Sequence, residues 1–94
     1  VMTIQHKERD DRGVFYIKGE NGIISELTYS KDDNSVITID HTETKIAQEG
    51  KGYASKLMAH AVTFARENNL KINPLCPFAE VQFDRNPEFK DVLA

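Results

Sequence analysis

Apolar and polar positions alternate with a period of two through the first half of the chain, then recur every three to four residues beyond residue 53. This reads as strands followed by a helix. Thr3 to Arg9 predicts an edge strand. Asp10-Asp11-Arg12-Gly13 predicts a turn with Gly13 free to take positive φ. Val14 to Ile17 is a short run of β-formers, and Glu20-Asn21-Gly22 carries the Asn-Gly hairpin signal. Ile23 to Tyr29 is the next strand, with Ile23, Leu27 and Tyr29 expected on one face. After the polar turn Lys31 to Ser35, Val36 to Thr42 is a fourth strand. Its parity puts Ile37, Ile39 and His41 on one side and Val36, Thr38 and Asp40 on the other. Connections this short predict an antiparallel meander.

A polar segment, 43–51, leads into Gln48-Glu49-Gly50-Lys51-Gly52-Tyr53-Ala54. Beyond it Ala54, Leu57, Met58, Ala61, Val62 and Ala65 fall on one face of an amphipathic helix, with Lys56, His60, Thr63 and Glu67 opposite. Asn68-Asn69 is a stop, because asparagine tolerates the left-handed cap. Leu70 to Leu75 predicts a fifth strand, parallel to the fourth after the helical crossover. Pro74 is expected to leave it unpaired on one side. Cys76-Pro77 opens a short helix with Cys76 at its N-cap and Phe78, Val81 and Phe83 for apolar contact. Asn86-Pro87-Glu88 repeats the device, ahead of an apolar face of Phe89, Val92 and Leu93.

Composition adds exclusions. The chain has 94 residues, 39% hydrophobic and 29% charged, with net charge −3, enough for one domain over 1–94 and one modest core. The negative balance argues against a general nucleic-acid binder, and no apolar run approaches a membrane span. A single cysteine, Cys76, rules out an internal disulfide and fits a cytoplasmic, reducing setting. No Cys/His cluster has structural-zinc spacing, so no metal is expected.

The candidate chemistry lies in three places. The glycine turn either serves as a plain tight turn or offers free amides at a helix start to an anion, with Lys51 and Lys56 nearby. It lacks the nucleotide-hydrolysing P-loop and dinucleotide signatures. Cys76 is either a small buried hydrophobe or a thiol whose thiolate a helix start favours. His41 is either a satisfied strand-end residue or a general base. The two could meet only if strands four and five are neighbours. His6 and His60 read as solvated, and Asp40, Glu43, Glu49 and Glu80 as solvated charge, with Glu49 awkward beside an anion.

A meander, then Gly50-Lys51-Gly52-Tyr53-Ala54 opening a long helix, then a strand, resembles the GNAT superfamily of acetyl-CoA-dependent N-acetyltransferases. Their acetyl-CoA motif is Gln/Arg-x-x-Gly-x-Gly/Ala. Gly52 and Ala54 hold its last two fixed positions, while Glu49 stands where Gln or Arg is expected. Ile39-Asp40-His41-Thr42, the glycine motif, and Leu70-Lys71-Ile72 leading to Cys76 resemble a short single-domain GNAT-like subfamily, over roughly residues 14–93. The resemblance implies an α+β fold, α/β three-layer-like, in minimal GNAT form: a four-stranded meander, a long helix, a parallel fifth strand and short C-terminal helices. It implies a CoA pyrophosphate on Glu49, Gly50, Lys51, Gly52, Tyr53 and Ala54, with Thr42 beside the cofactor. The pantetheine would run between splayed strands four and five, and Pro74 supplies a reason for the splay. His41 and Cys76 match the subfamily's suspected reactive pair.

The function so implied is transfer of an acyl group from an acyl-CoA, acetyl-CoA foremost, to an amine on a small molecule or protein. His41 would act as base, or an acetyl-Cys76 intermediate would form. The alternatives are a CoA-binding module with little catalytic power, motivated by the lack of helices between the early strands, and a small interaction protein. No nucleic acid or membrane partner is expected, and the chain is read as a monomer or weak dimer.

Overall fold

A computed structural model describes residues 3–94. It contains one five-stranded sheet in the order β1-β2-β3-β4-β5: Ile4–Arg9, Arg12–Gly19, Gly22–Lys31, Val36–Thr44 and Lys71–Pro74. The first four pair antiparallel and β5 lies parallel to β4. Helix α1 (Tyr53–Glu67) makes the crossover, and α2 (Pro77–Arg85) and a 3-10 turn (Pro87–Val92) follow β5. The α+β architecture is the expected one. Among the described residues no helix is long and apolar enough to cross a membrane.

Cross-strand register assigns the two faces of the sheet. Ile17, Phe15, Leu27, Tyr29, Ile37, Ile39 and Ile72 share one face, and all are buried at 1% exposure or less. Against them pack Leu57, Met58, Ala61, Val62 and Ala65 of α1, Ala79 and Phe83 of α2, and Val92. This is the apolar stripe that the helical spacing picked out, except that Ala54 stays half-exposed at the helix start. The opposite face carries Lys7, Val14, Glu26, Thr28, His41 and Glu43, with no helix over it, so the described residues make two layers rather than three. Tyr16 sits on that open face yet is only 6% exposed. Its hydroxyl donates to Gln5 Oε1 at 3.1 Å, and Lys7 lies over its ring.

Several local expectations give way to backbone irregularities. In the first hairpin Asp10, with φ 57°, takes the left-handed position rather than Gly13. Gly13 serves differently: a Cβ there would stand 2.3 Å from the Tyr29 ring. In the second hairpin Glu20-Asn21 form the turn and Gly22 takes φ 106° at the start of β3. A bulge beside Lys18 then shifts the phase, so Ile24 enters the core at 8% exposure and Ile23 stays out at 41%. In β4 a bulge between the Tyr29–Ile39 and Thr28–His41 pairs leaves Asp40 as the extra residue. His41 therefore lies on the open face, beside Asp40, and not with Ile37 and Ile39.

Pro74 is not what parts β4 from β5. Lys71 N–H bonds Ser35 O and Leu75 N–H bonds Ile39 O, so alternate residues face β4, while Ile72 O turns outward to Ala94 N–H. Pro74 shares the outward phase, and its missing N–H blunts the outer edge. The strands part because Leu75 and Cys76 both donate to Ile39 O and the chain then turns into α2. Near the C-terminus, Asn86 turns its amide back to Gln82 O at 2.7 Å instead of capping the 3-10 turn. Leu93 and Val81 remain 41% exposed.

His6 and His60 are surface residues, but not free of contact. His6 stacks on Phe15 with centroids 4.1 Å apart, and His60 meets the same ring edge-on at 5.2 Å. Tyr29 Oη donates to Glu8 Oε2 at 2.8 Å and accepts from His6 Nε2–H at 2.7 Å. Burial, reinforced by the bond to Glu8, pushes the phenol well above its ordinary range.

Candidate active site

The site grows out of the start of α1. Gly50 and Gly52 have φ 81° and 80°, a conformation that costs other residues energy and costs glycine little. Gly52 is the N-cap in left-handed geometry, and no side chain caps the helix. Lys56 N–H closes the first helical bond, to Gly52 O at 3.0 Å. The preceding amides, of Gly52, Tyr53, Ala54 and Ser55, form no such intrahelical bond, and the first turn carries no acidic residue. A Cβ at Gly50 or Gly52 would meet nothing within 4 Å, so open space lies above the turn.

That space is an open groove of about 400 Å³. One wall is Thr42, Glu43 and Thr44, the stretch of β4 beyond its last pairing with β5 at Ile39–Pro74. The other wall is Gln48, Glu49, Gly50, Gly52, Tyr53, Ala54 and Ser55, with Phe78 of α2 alongside. A strand edge with backbone groups unclaimed by β5 thus faces a helix start with free amides. Such a cleft suits an elongated ligand with an anionic end.

Six of the seven expected cofactor residues line it: Thr42, Glu49, Gly50, Gly52, Tyr53 and Ala54. Lys51 does not, since its ammonium donates to Gln48 Oε1 at 3.0 Å. Glu43, read as solvated charge, and Thr44, Ser55 and Phe78 were not foreseen as lining, while Gln48 belongs to the glycine stretch already singled out. Ser55, three residues past Gly52, was legible as a first-turn residue, and Thr44 follows Thr42 by strand parity. Phe78 gives no sequence signal, because its approach depends on how α2 docks.

The reactive candidates lie outside this lining. Cys76 is the N-cap of α2 in extended geometry, 9% exposed and part of the apolar core. Its N–H is engaged by Ile39 O, and its side chain does not cap the helix. His41 projects from the open face with its Nε2 3.1 Å from Glu43 Oε1, and both side chains are more than half exposed. Among the described residues no hydrogen bond joins His41 to Cys76, although β4 and β5 are neighbours. Asp40, next to His41 in β4, accepts from Thr28 Oγ1 at 2.6 Å and Arg12 Nη2 at 3.0 Å. Partial burial works to raise its carboxyl, but these two donors outweigh it and hold the group below the usual carboxylate range.

The sequence model of the GCN5-related N-acetyl-transferase family matches residues 14–92. A GCN5-like protein of Staphylococcus aureus, solved by NMR, is 36% identical over 96% of this chain and 87% of its own, with a TM-score of 0.69. A Bacillus anthracis protein assigned as a streptothricin acetyltransferase, solved with acetyl coenzyme A, shares the fold at 19% identity and TM-score 0.61. It is covered over 48% of its length by 84% of this chain. Ribosomal-protein-alanine N-acetyltransferase of Brucella melitensis gives 14% identity and TM-score 0.58, with 93% of this chain covering 66% of that one. This chain thus spans about half to two thirds of those larger enzymes. No curated protein sequence matches it. With 79 of its 94 residues inside the family match, the chain belongs to the GCN5-related N-acetyltransferase family.

Proposed function

We propose that this chain binds acetyl-CoA in the groove between β4 and the start of α1 and transfers the acetyl group to an amine. The observation that carries this reading is the pairing of uncapped amides from Gly52 to Ser55 with the β4 edge that β5 leaves free. The pyrophosphate would accept from the amides, and the pantetheine amides would lie along Thr42 to Thr44 as an added strand does. Glu49 borders the same groove, and its carboxylate must swing to solvent for an anion to enter.

In the transfer, the amine nitrogen attacks the thioester carbonyl, the C–N bond forms, and the C–S bond breaks with CoA leaving as thiolate. His41, directly or through water, would take the amine proton. Its exposure and its contact with Glu43, which lines the groove, favour this route over an acetyl-Cys76 intermediate, because Cys76 is nearly enclosed by the core. In the covalent route Cys76 Sγ would take the acetyl group first and the amine would displace it.

Calorimetry with acetyl-CoA, followed by an amine screen with product detection, tests the reading. Saturable binding with turnover on at least one amine is the expected result. His41→Ala should lower kcat and leave CoA binding intact, while Cys76→Ala should keep turnover. An acetyl-Cys76 adduct that accumulates would reverse the order of the two routes. A second reading, a CoA-binding module, draws support from the uncovered sheet face that carries His41. Binding with no transfer to any amine would favour it.

A further inference from the structure

The β4 bulge decides which residues meet the groove. Above it the register pairs Tyr29 with Ile39. If that register continued, Thr28 would pair with Asp40, Leu27 with His41 and Glu26 with Thr42. His41 would then point to the helix side, beside buried Leu27, and Thr42 to the open face. The actual register is one residue longer on β4: Thr28 pairs with His41 and Leu27 with Thr42. A one-residue slip exchanges the faces of all that follows. From Asp40 on, β5 no longer supports β4, so β3 alone must hold the longer register.

Side chains from two other strands grip the extra residue. Thr28 Oγ1 of β3 donates to Asp40 Oδ1 at 2.6 Å, and the same hydroxyl lies 3.4 Å from the His41 carbonyl. Arg12 Nη2 of β2 donates to Asp40 Oδ2 at 3.0 Å. Both carboxylate oxygens are therefore engaged, and each bond pulls Asp40 onto the open face where His41 follows it.

The geometry points to Asp40 as a positioning residue: clamped by Thr28 and Arg12, it locks the bulge that turns Thr42 toward the groove and His41 toward the open face. The catalytic consequence rests on the proposed acetyl transfer, whereas the conformational claim does not. Asp40 does not line the groove, and its side chain bonds only Thr28 and Arg12, so its loss should spare the anion end at the glycine turn.

The test is cross-strand NOE mapping on the full chain, free of ligand, beside steady-state kinetics. The native protein shows Thr28–His41 contacts. Asp40→Ala should show Leu27–His41 contacts from the straight register, and kcat should fall about 10-fold or more, with CoA bound more weakly because Thr42 leaves the groove. Asp40→Asn, which keeps an acceptor for Thr28 but loses the charge that holds Arg12, should fall between Asp40→Ala and the native pattern. If Asp40→Ala does not fold, Arg12→Met and Thr28→Val each remove one grip, and either should weaken the Thr28–His41 contacts. Native contacts in Asp40→Ala, or in both milder variants, overturn the proposal. A native chain that acetylates nothing would overturn the proposed function, and the NOE pattern would still decide the clamp.

Discussion

Replacing Gly13 with alanine would set a methyl carbon 2.3 Å from the Tyr29 ring, although Gly13 has no unusual φ. The ring must shift, and with it the hydroxyl that joins Glu8 to His6. Overpacking of this kind costs about 1–3 kcal/mol. A denaturant titration of Gly13→Ala should show a loss of that size. Gly52→Ala is the opposite case: the new methyl meets nothing, but φ 80° costs an alanine about 1–2 kcal/mol. If the turn cradles an anion, this variant should also bind CoA more weakly by calorimetry. Residues of these two kinds differ in legibility. Gly50 and Gly52 announced themselves by spacing before a strong helix. Gly13 did not, because its reason is a ring sixteen positions away, and Asp10 took the turn conformation assigned to it.

Among the elements, α1 was the most readable, since fifteen residues of helix give the 3.6-residue period room to show. Its docking rests on side chains such as Leu57, fully buried against the sheet. Leu57→Ala should cost about 2–5 kcal/mol in denaturant midpoint terms. Because α1 carries the glycine turn at its N-terminus, the same variant should also loosen ligand affinity. Strand existence was as legible as the helix, but strand phase was not. Both bulges, at Ile23–Ile24 and at Asp40, break the period of two without any Gly or Pro at the inserted residue itself. That is why Ile23 and His41 were assigned to the wrong side. The parting of β4 and β5 was anticipated, but its cause lies in Leu75 and Cys76 sharing one acceptor, which spacing does not encode.

For the whole molecule, pH dependence of stability follows from two shifted groups. Burial against Phe15 lowers His6 below the ordinary 6.5, with Glu8 opposing and His60 adding to the shift. The unfolded chain then binds the proton more readily, so this contribution is present above 6.5 and is lost as pH falls below that value through the folded pKa. Asp40, also depressed, adds stability above the ordinary carboxylate range that is lost only in stronger acid. The denaturant midpoint should therefore drop between neutrality and mild acid, and His6→Gln should flatten that first fall without altering the second. A midpoint that stays level in the native chain would contradict the His6 assignment.

The parting of β4 from β5 also bears on the order of assembly. The meander joins neighbours through tight hairpins, whereas β5 pairs with β4 at a sequence separation of 35, as between Thr38 and Asn73. Contacts of long sequence separation form late and slowly. The groove lies along that late seam, so a ligand filling it would act as a staple on the part of the molecule that opens most easily. Hydrogen exchange should then slow on CoA addition at Leu75, Cys76 and the first turn of α1, with β1 to β3 unchanged. Uniform protection across the sheet would mean that the chain opens as one unit and that its binding cleft has no separate folding life.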